Sequence, residues 1–76
     1  MNTTDIFTEM VNRWPSHIVA RREVGNFTGG LIKPKFLANQ DSLGTGPAEK
    51  IEVCGRVAYS AQSLADWLRS RSKQSA

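Results

Sequence analysis

The chain has almost none of the residues from which covalent staples, metal centres and catalytic sites are built. It holds one cysteine and one histidine in 76 residues. A single cysteine excludes an internal disulfide and any cysteine-based zinc cluster. Cys54 reads as a small apolar or turn residue, and the lone thiol fits a reducing cytoplasm. His17 has no second ligand type clustered beside it, so it reads as a surface or capping residue rather than a metal ligand or catalyst. There is no phosphate-cradling glycine loop and no cluster of carboxylates, so neither an enzyme nor a cofactor is expected. No apolar run approaches the ~20 residues that a membrane span needs. The first ten residues, MNTTDIFTEM, contain no lysine or arginine and no long apolar core, unlike a secretory signal.

What remains is a small, basic, mixed chain. Its length suits one domain with a modest core and marginal stability. Ten Lys and Arg face seven Asp and Glu, for a net charge of +3. The distribution is uneven. Asp5 and Glu9 precede every basic residue, so the rest of the chain carries all of the cations against fewer acids. Such a balance is compatible with nucleic acid, and equally with ordinary solubility.

Residues 3–14 read as an N-terminal helix. Thr3 or Thr4 can cap it, with Asp5 favourable in its first turn. Ile6, Met10 and Trp14 follow at i, i+4 and i+8, beside Phe7 and Val11. Pro15 ends it. The stripe reads as core packing, with a dimer contact through Phe7, Met10 and Trp14 as the alternative. Residues 16–20 read as a connector.

The organising stretch is RREVGNFTGGLIKPKFLANQDSLGTGP, residues 21–47. It predicts two short helices around a glycine turn, within residues 20–44. Val24 and Phe27 share one face of the first helix, residues 21–28. Gly29-Gly30 supplies a left-handed cap. Pro34 suits the first position of the second helix. Ile32 and Leu37 then have the spacing of a hydrophobic staple. Lys33 at the cap offers no acceptor to the free N–H groups, which weakens the helix start. Gly44 and Gly46-Pro47 end it.

With Leu37 buried, a 100° step puts Lys35, Asn39 and Ser42 on the outward face of that helix, flanked by Phe36 and Lys33. Lysine can donate to guanine O6 and N7, asparagine can pair with adenine, and an aromatic surface can touch a thymine methyl group. The same residues also suit an ordinary wet helix face. Arg21 and Arg22 read as solvated surface or as phosphate contacts. Asp41 does not belong on a DNA face, and is expected to turn sideways to a basic side chain or a backbone N–H.

IEV and VAY, within residues 50–59, read as a hairpin. A two-residue Cys54-Gly55 turn would set Val53 opposite Arg56 and Ile51 opposite Ala58, splitting the apolar residues between faces. A three-residue loop ending at Arg56 sets Val53 opposite Val57 and Ile51 opposite Tyr59, so the loop is the expected form. It leaves Arg56 at the tip, able to reach a phosphate or a minor groove. Ser60 can cap a last helix over residues 60–72, with Leu64, Trp67 and Leu68 inward and Trp67 as the core aromatic. Residues 73–76 are expected to fray. Arg69, Arg71 and Lys73 add either phosphate attraction or solubility.

An ordered set of motifs, TGG-L-I-x-P-K, F-L-A-N, G-T-G-P, G-R-V-A-Y and L-A-D-W-L, falls within residues 19–71. In this set the chain resembles the MerR-like winged helix-turn-helix proteins, and most of all their small excisionase and phage-regulator branch. The resemblance implies a mainly α fold, four helices with a two-stranded antiparallel wing. It implies sequence-dependent binding of double-stranded DNA, with the second helix in the major groove and the wing on the flanking backbone. The contacts would fall on Lys33, Lys35, Phe36, Asn39, Ser42, Arg56, Arg21 and Arg22. The role implied is an excisionase of a prophage or mobile element, with an integrase or recombinase as partner and self-association on DNA. A small transcriptional regulator would use the same surface. The alternative of another class is a winged-helix module that binds protein and not DNA.

Overall fold

In the computed structural model, which describes residues 5–72, the first helix starts on an aspartate. Helix α1 spans Ile6–Arg13, and its N-cap Asp5 accepts a 3.1 Å bond from the Phe7 N–H. The expected caps Thr3 and Thr4 lie outside the described residues. Phe7, Met10, Val11 and Trp14 pack against the core, and Trp14 meets Phe27 edge to face at 5.4 Å. The stripe therefore does serve core packing. Ile6, at its far end, stays 70% exposed.

The connector expected at 16–20 is in part a strand. Strand β1, Ile18–Ala20, pairs antiparallel with strand β3, Arg56–Ser60, and β3 pairs on its other side with strand β2, Lys50–Val53. The sheet thus has three strands in the order β1-β3-β2, not two. The β-branched pair Ile18-Val19 suits extended backbone. Val19 lies opposite Tyr59, and both are fully buried.

The hairpin register also differs from the expectation. Val53 faces Arg56 and Ile51 faces Ala58, across a two-residue turn. Cys54 and Gly55 both have positive φ, 53° and 75°, as a type I′ turn requires. That turn matches the right-handed twist of the strands, and the match outweighs the strain of a left-handed cysteine. A loop would be needed only if Ile51 and Val53 had to face the core. They need not, because β2 is an edge strand and is exposed throughout. Val19 and Tyr59 fill the inner face without it.

Between β1 and the glycine turn, the expected first helix is split. A 3₁₀ turn at Arg21–Glu23 leads into helix α2, Val24–Phe27. Buried Thr28 stitches α2 to the chain beyond the turn. Its hydroxyl donates to the Val24 carbonyl at 2.8 Å and accepts from the Ile32 N–H at 3.1 Å. Gly29 and Gly30 have φ of 67° and 92°, and the Gly30 N–H closes on the Gly25 carbonyl. Helix α3, Pro34–Ser42, comes next, with Pro34 at its start and no side-chain cap from Lys33. Leu37 is fully buried, which contributes about 1.5–3 kcal/mol. A Schellman pair ends the helix, with the Gly44 N–H on the Asp41 carbonyl and the Thr45 N–H on the Gln40 carbonyl.

Helix α4, Ala61–Arg71, is capped by the Ser60 hydroxyl, which accepts from the Ser63 N–H at 3.0 Å. Ala61, Leu64, Ala65 and Trp67 complete the core. Trp67 is 8% exposed and donates its ring N–H to the Thr45 carbonyl at 2.7 Å, pinning the loop after α3. Among the described residues, no helix is long and apolar enough to cross a membrane.

Candidate nucleic-acid interface

The outward face of α3 is where the helical step puts it. Leu37 is buried, while Lys35, Asn39 and Ser42 are exposed. Lys33, just before the helix, is exposed as well. A shallow cleft of about 210 Å³ lies beside the start of the helix. Its walls are Ala20, Arg21, Arg22, Pro34, Arg56 and Val57. The cleft brings three separate parts of the chain together: the 3₁₀ turn, the first residue of α3 and the start of β3. Arg22 and Arg56 are both exposed there.

Ion pairing divides the cations. Arg69 pairs with Asp5 and with Asp66, and its guanidinium lies 5.5 Å above the Phe7 ring. The Arg69 hydrogen bond holds the Asp5 carboxyl below its ordinary pKa. Arg71 sits 5.0 Å above the Trp67 ring and donates to the Thr45 carbonyl. These two arginines are bound into the fold, and Lys73 lies outside the described residues. Arg22 has only a 4.0 Å approach to Glu23. Lys33, Lys35 and Arg56 make no salt bridge among the described residues. Their charge is available to an anion.

Three of the anticipated contacts are placed differently. Arg56 is not at the hairpin tip. It is the first residue of β3, and Cys54-Gly55 form the tip. Phe36 turns from the Lys35–Asn39 face toward α4, with its ring 6.3 Å from that of Trp67. It lines a second concavity, an apolar groove of about 720 Å³ between α1, the Gly29-Gly30 turn and α4. Arg21 is committed to an internal cluster. Its Nη2 donates to Asp41 Oδ2 at 2.6 Å and its Nε donates to the Tyr59 hydroxyl at 3.0 Å. The Tyr59 hydroxyl donates in turn to the same Asp41 oxygen at 2.6 Å. Asp41 does turn sideways to a basic side chain, as its position on α3 required.

The tyrosine was the missing member. Its signal is generic: a buried tyrosine hydroxyl needs a partner. Burial raises the Tyr59 pKa, and donation to Asp41 raises it further, against the opposing effect of Arg21; it is pushed up to about 12 from 10.0. The folded chain therefore favours the neutral phenol. The stability this contributes is fully present below pH 10 and is lost as pH rises toward 12. Tyr59 is the one tyrosine in the sequence, so its ionisation is read directly. Tyrosinate absorbance at ~295 nm should rise near pH 12 in the folded chain and near pH 10 in urea. A folded-state midpoint near 10 would show that the hydroxyl is free.

Comparison with protein-family models, with curated proteins and with solved structures gave no match. The functional reading rests on the residues themselves.

Proposed function

We propose that the chain is a winged helix-turn-helix protein that binds double-stranded DNA in a sequence-dependent manner. The observation that carries the reading is the convergence of Arg22 and Arg56 on the start of α3, whose outward face holds Lys35, Asn39 and Ser42. Two exposed cations flank a helix with base-reading chemistry. In this reading α3 enters the major groove, and Lys35 and Asn39 meet base edges. Arg22, Arg56 and Lys33 hold phosphates, and the Lys35 ammonium adds its charge to theirs within the groove, so that four cations displace counterions. The β2–β3 hairpin is the wing, and β1 is an added third strand that ties it to the body. Arg21 and Phe36 are withdrawn from the contact set. The leading role implied by the motif resemblance is an excisionase of a prophage or mobile element, working with an integrase; a small transcriptional regulator would use the same surface.

The test is salt titration. Four cationic contacts, by Lys33, Lys35, Arg22 and Arg56, imply a log–log slope of affinity against salt of roughly −4. Fluorescence anisotropy with labelled duplexes, including attachment-site DNA, at several salt concentrations measures it. Failure to bind any duplex at low salt would sink the reading.

One observation favours a second reading, a protein-interaction module. The apolar groove between α1 and α4 exposes Ile6 and Leu31 at 70% and 84%, beside Phe36 at 41%. Contiguous apolar surface of this kind marks protein contacts more often than DNA contacts. The two readings use different faces, and the charge reversal argued in the Discussion separates them.

A further inference from the structure

Asp41 is a charged side chain on the helix proposed to read DNA, yet at 8% exposure it is turned away from the surface that would meet a duplex. Its partners show what it is for. Oδ2 accepts from Arg21, just past the end of β1, and from Tyr59 on β3. The third edge, Arg21 Nε to the Tyr59 hydroxyl, closes the ring of bonds. One carboxylate oxygen thus ties α3 to the end of β1 and to the central strand of the sheet. Its other oxygen lies against Gly46: a Cβ there would stand 2.1 Å from Oδ1 and 3.1 Å from Cγ. Glycine at 46 leaves the space that the carboxylate fills. The loop holding Gly46 is itself pinned, through the Thr45 carbonyl, by Trp67.

From this geometry we infer that Asp41, Arg21 and Tyr59 are positioning residues that set the angle between α3 and the hairpin. The inference rests on the DNA reading given above. α3 and β3 carry the two sets of contacts, on Lys35 and Asn39 and on Arg56. A helix and a hairpin must engage DNA in one fixed relation for base edges to be read in register. Apolar packing of Leu37 is non-directional and leaves the helix free to rock about its buried face. Charge-assisted bonds at 2.6 Å are directional and remove that freedom. The cluster acts on selectivity, then, and not on phosphate attraction.

Tyr59→Phe keeps the buried ring and removes only the hydroxyl. Asp41→Asn keeps the side-chain volume and removes the charge, and it serves as the second variant should the first fail to fold. An enriched duplex is first selected with the native chain from a randomised library. Affinities for that duplex and for a scrambled one are then compared across variants at fixed salt. The ratio of the two should fall about tenfold in each variant. Scrambled-duplex affinity and the salt slope should hold in Tyr59→Phe, whose cations are unchanged. The double variant should lose no more than the worse single one, since all three groups act as one network. An undiminished ratio in a variant that folds cooperatively overturns the inference and leaves the DNA reading standing. A native chain that enriches no sequence overturns both.

Discussion

Replacing Trp67 with alanine should bring this domain close to unfolding. Deleting a buried indole costs about 3–5 kcal/mol, through lost transfer free energy and the cavity left behind. A domain of this length sits at the low end of the ~5–15 kcal/mol range of total stability. Trp67 is also more than a core residue. Its ring N–H holds the Thr45 carbonyl, its face carries the Arg71 guanidinium, and its ring meets that of Phe36. The loop after α3, the end of α4 and the start of α3 all lose a contact at once. Trp67→Phe separates the contributions. It retains most of the volume and leaves the Thr45 carbonyl to Arg71 and water, so its cost should be about 1–3 kcal/mol. Urea denaturation followed by circular dichroism measures both, and Trp14 remains as a fluorescent probe. A cooperative Trp67→Ala transition at nearly the native midpoint would show that the core is held elsewhere.

How far the sequence discloses this fold depends on whether a signal is local. The Gly29-Gly30 and Gly44 turns, the Pro34 start and the Ser60 cap were all legible, because each depends on a residue's own φ or side-chain reach. So were the buried faces of α3 and α4, because a helix repeats its signal every three or four residues. The strand β1 was not legible. Three residues carry no period, and Ile18–Ala20 becomes a strand only when β3 lies beside it. The hairpin register escaped for a related reason. Pairing apolar with apolar is sound where both strands face a core. At the edge strand β2, turn geometry decides instead, and the residues Ile51 and Val53 are left 44% and 57% exposed. For the candidate site, Lys35, Asn39 and Ser42 followed from the helical step alone. The roles of Arg21 and Phe36 did not. An arginine or an aromatic at a helix start is turned aside only by a partner distant in sequence, here Asp41 and Tyr59 for Arg21 and Trp67 for Phe36. The convergence of Arg22 and Arg56 likewise needed the three-dimensional fold.

Reversing two charges should abolish DNA binding without harming the fold. Lys35 and Arg56 are exposed, make no salt bridge among the described residues and belong to different elements. Neither side chain supports the core, so the change acts on the surface alone. At position 35 the new residue even helps. The start of α3 lacks a side-chain cap, and a glutamate in its first turn complements the positive end of the helix dipole. Lys35→Glu with Arg56→Glu should therefore melt no lower than the native chain. Binding is another matter. Two of the four cationic contacts vanish, and each is replaced by a repelling charge. Affinity for any duplex should fall on the order of a hundredfold or more at ~0.15 M salt, and the residual slope should be about −2 or flatter. Asn39→Ala supplies the contrast, because it removes no charge. It should cost roughly 1–3 kcal/mol at one base position, most plainly an adenine, and leave the slope unchanged. Anisotropy on a randomised-duplex panel distinguishes the two kinds of loss. A double-charge variant that folds, and still binds duplex as tightly as the native chain, would move the interface off this face. A variant that loses DNA yet keeps a protein partner would place that partner off the Lys35–Arg56 face, as the apolar groove is. If Arg56→Ala alone relaxes one base position while Asn39→Ala weakens every sequence equally, the hairpin is the reader and α3 the clamp.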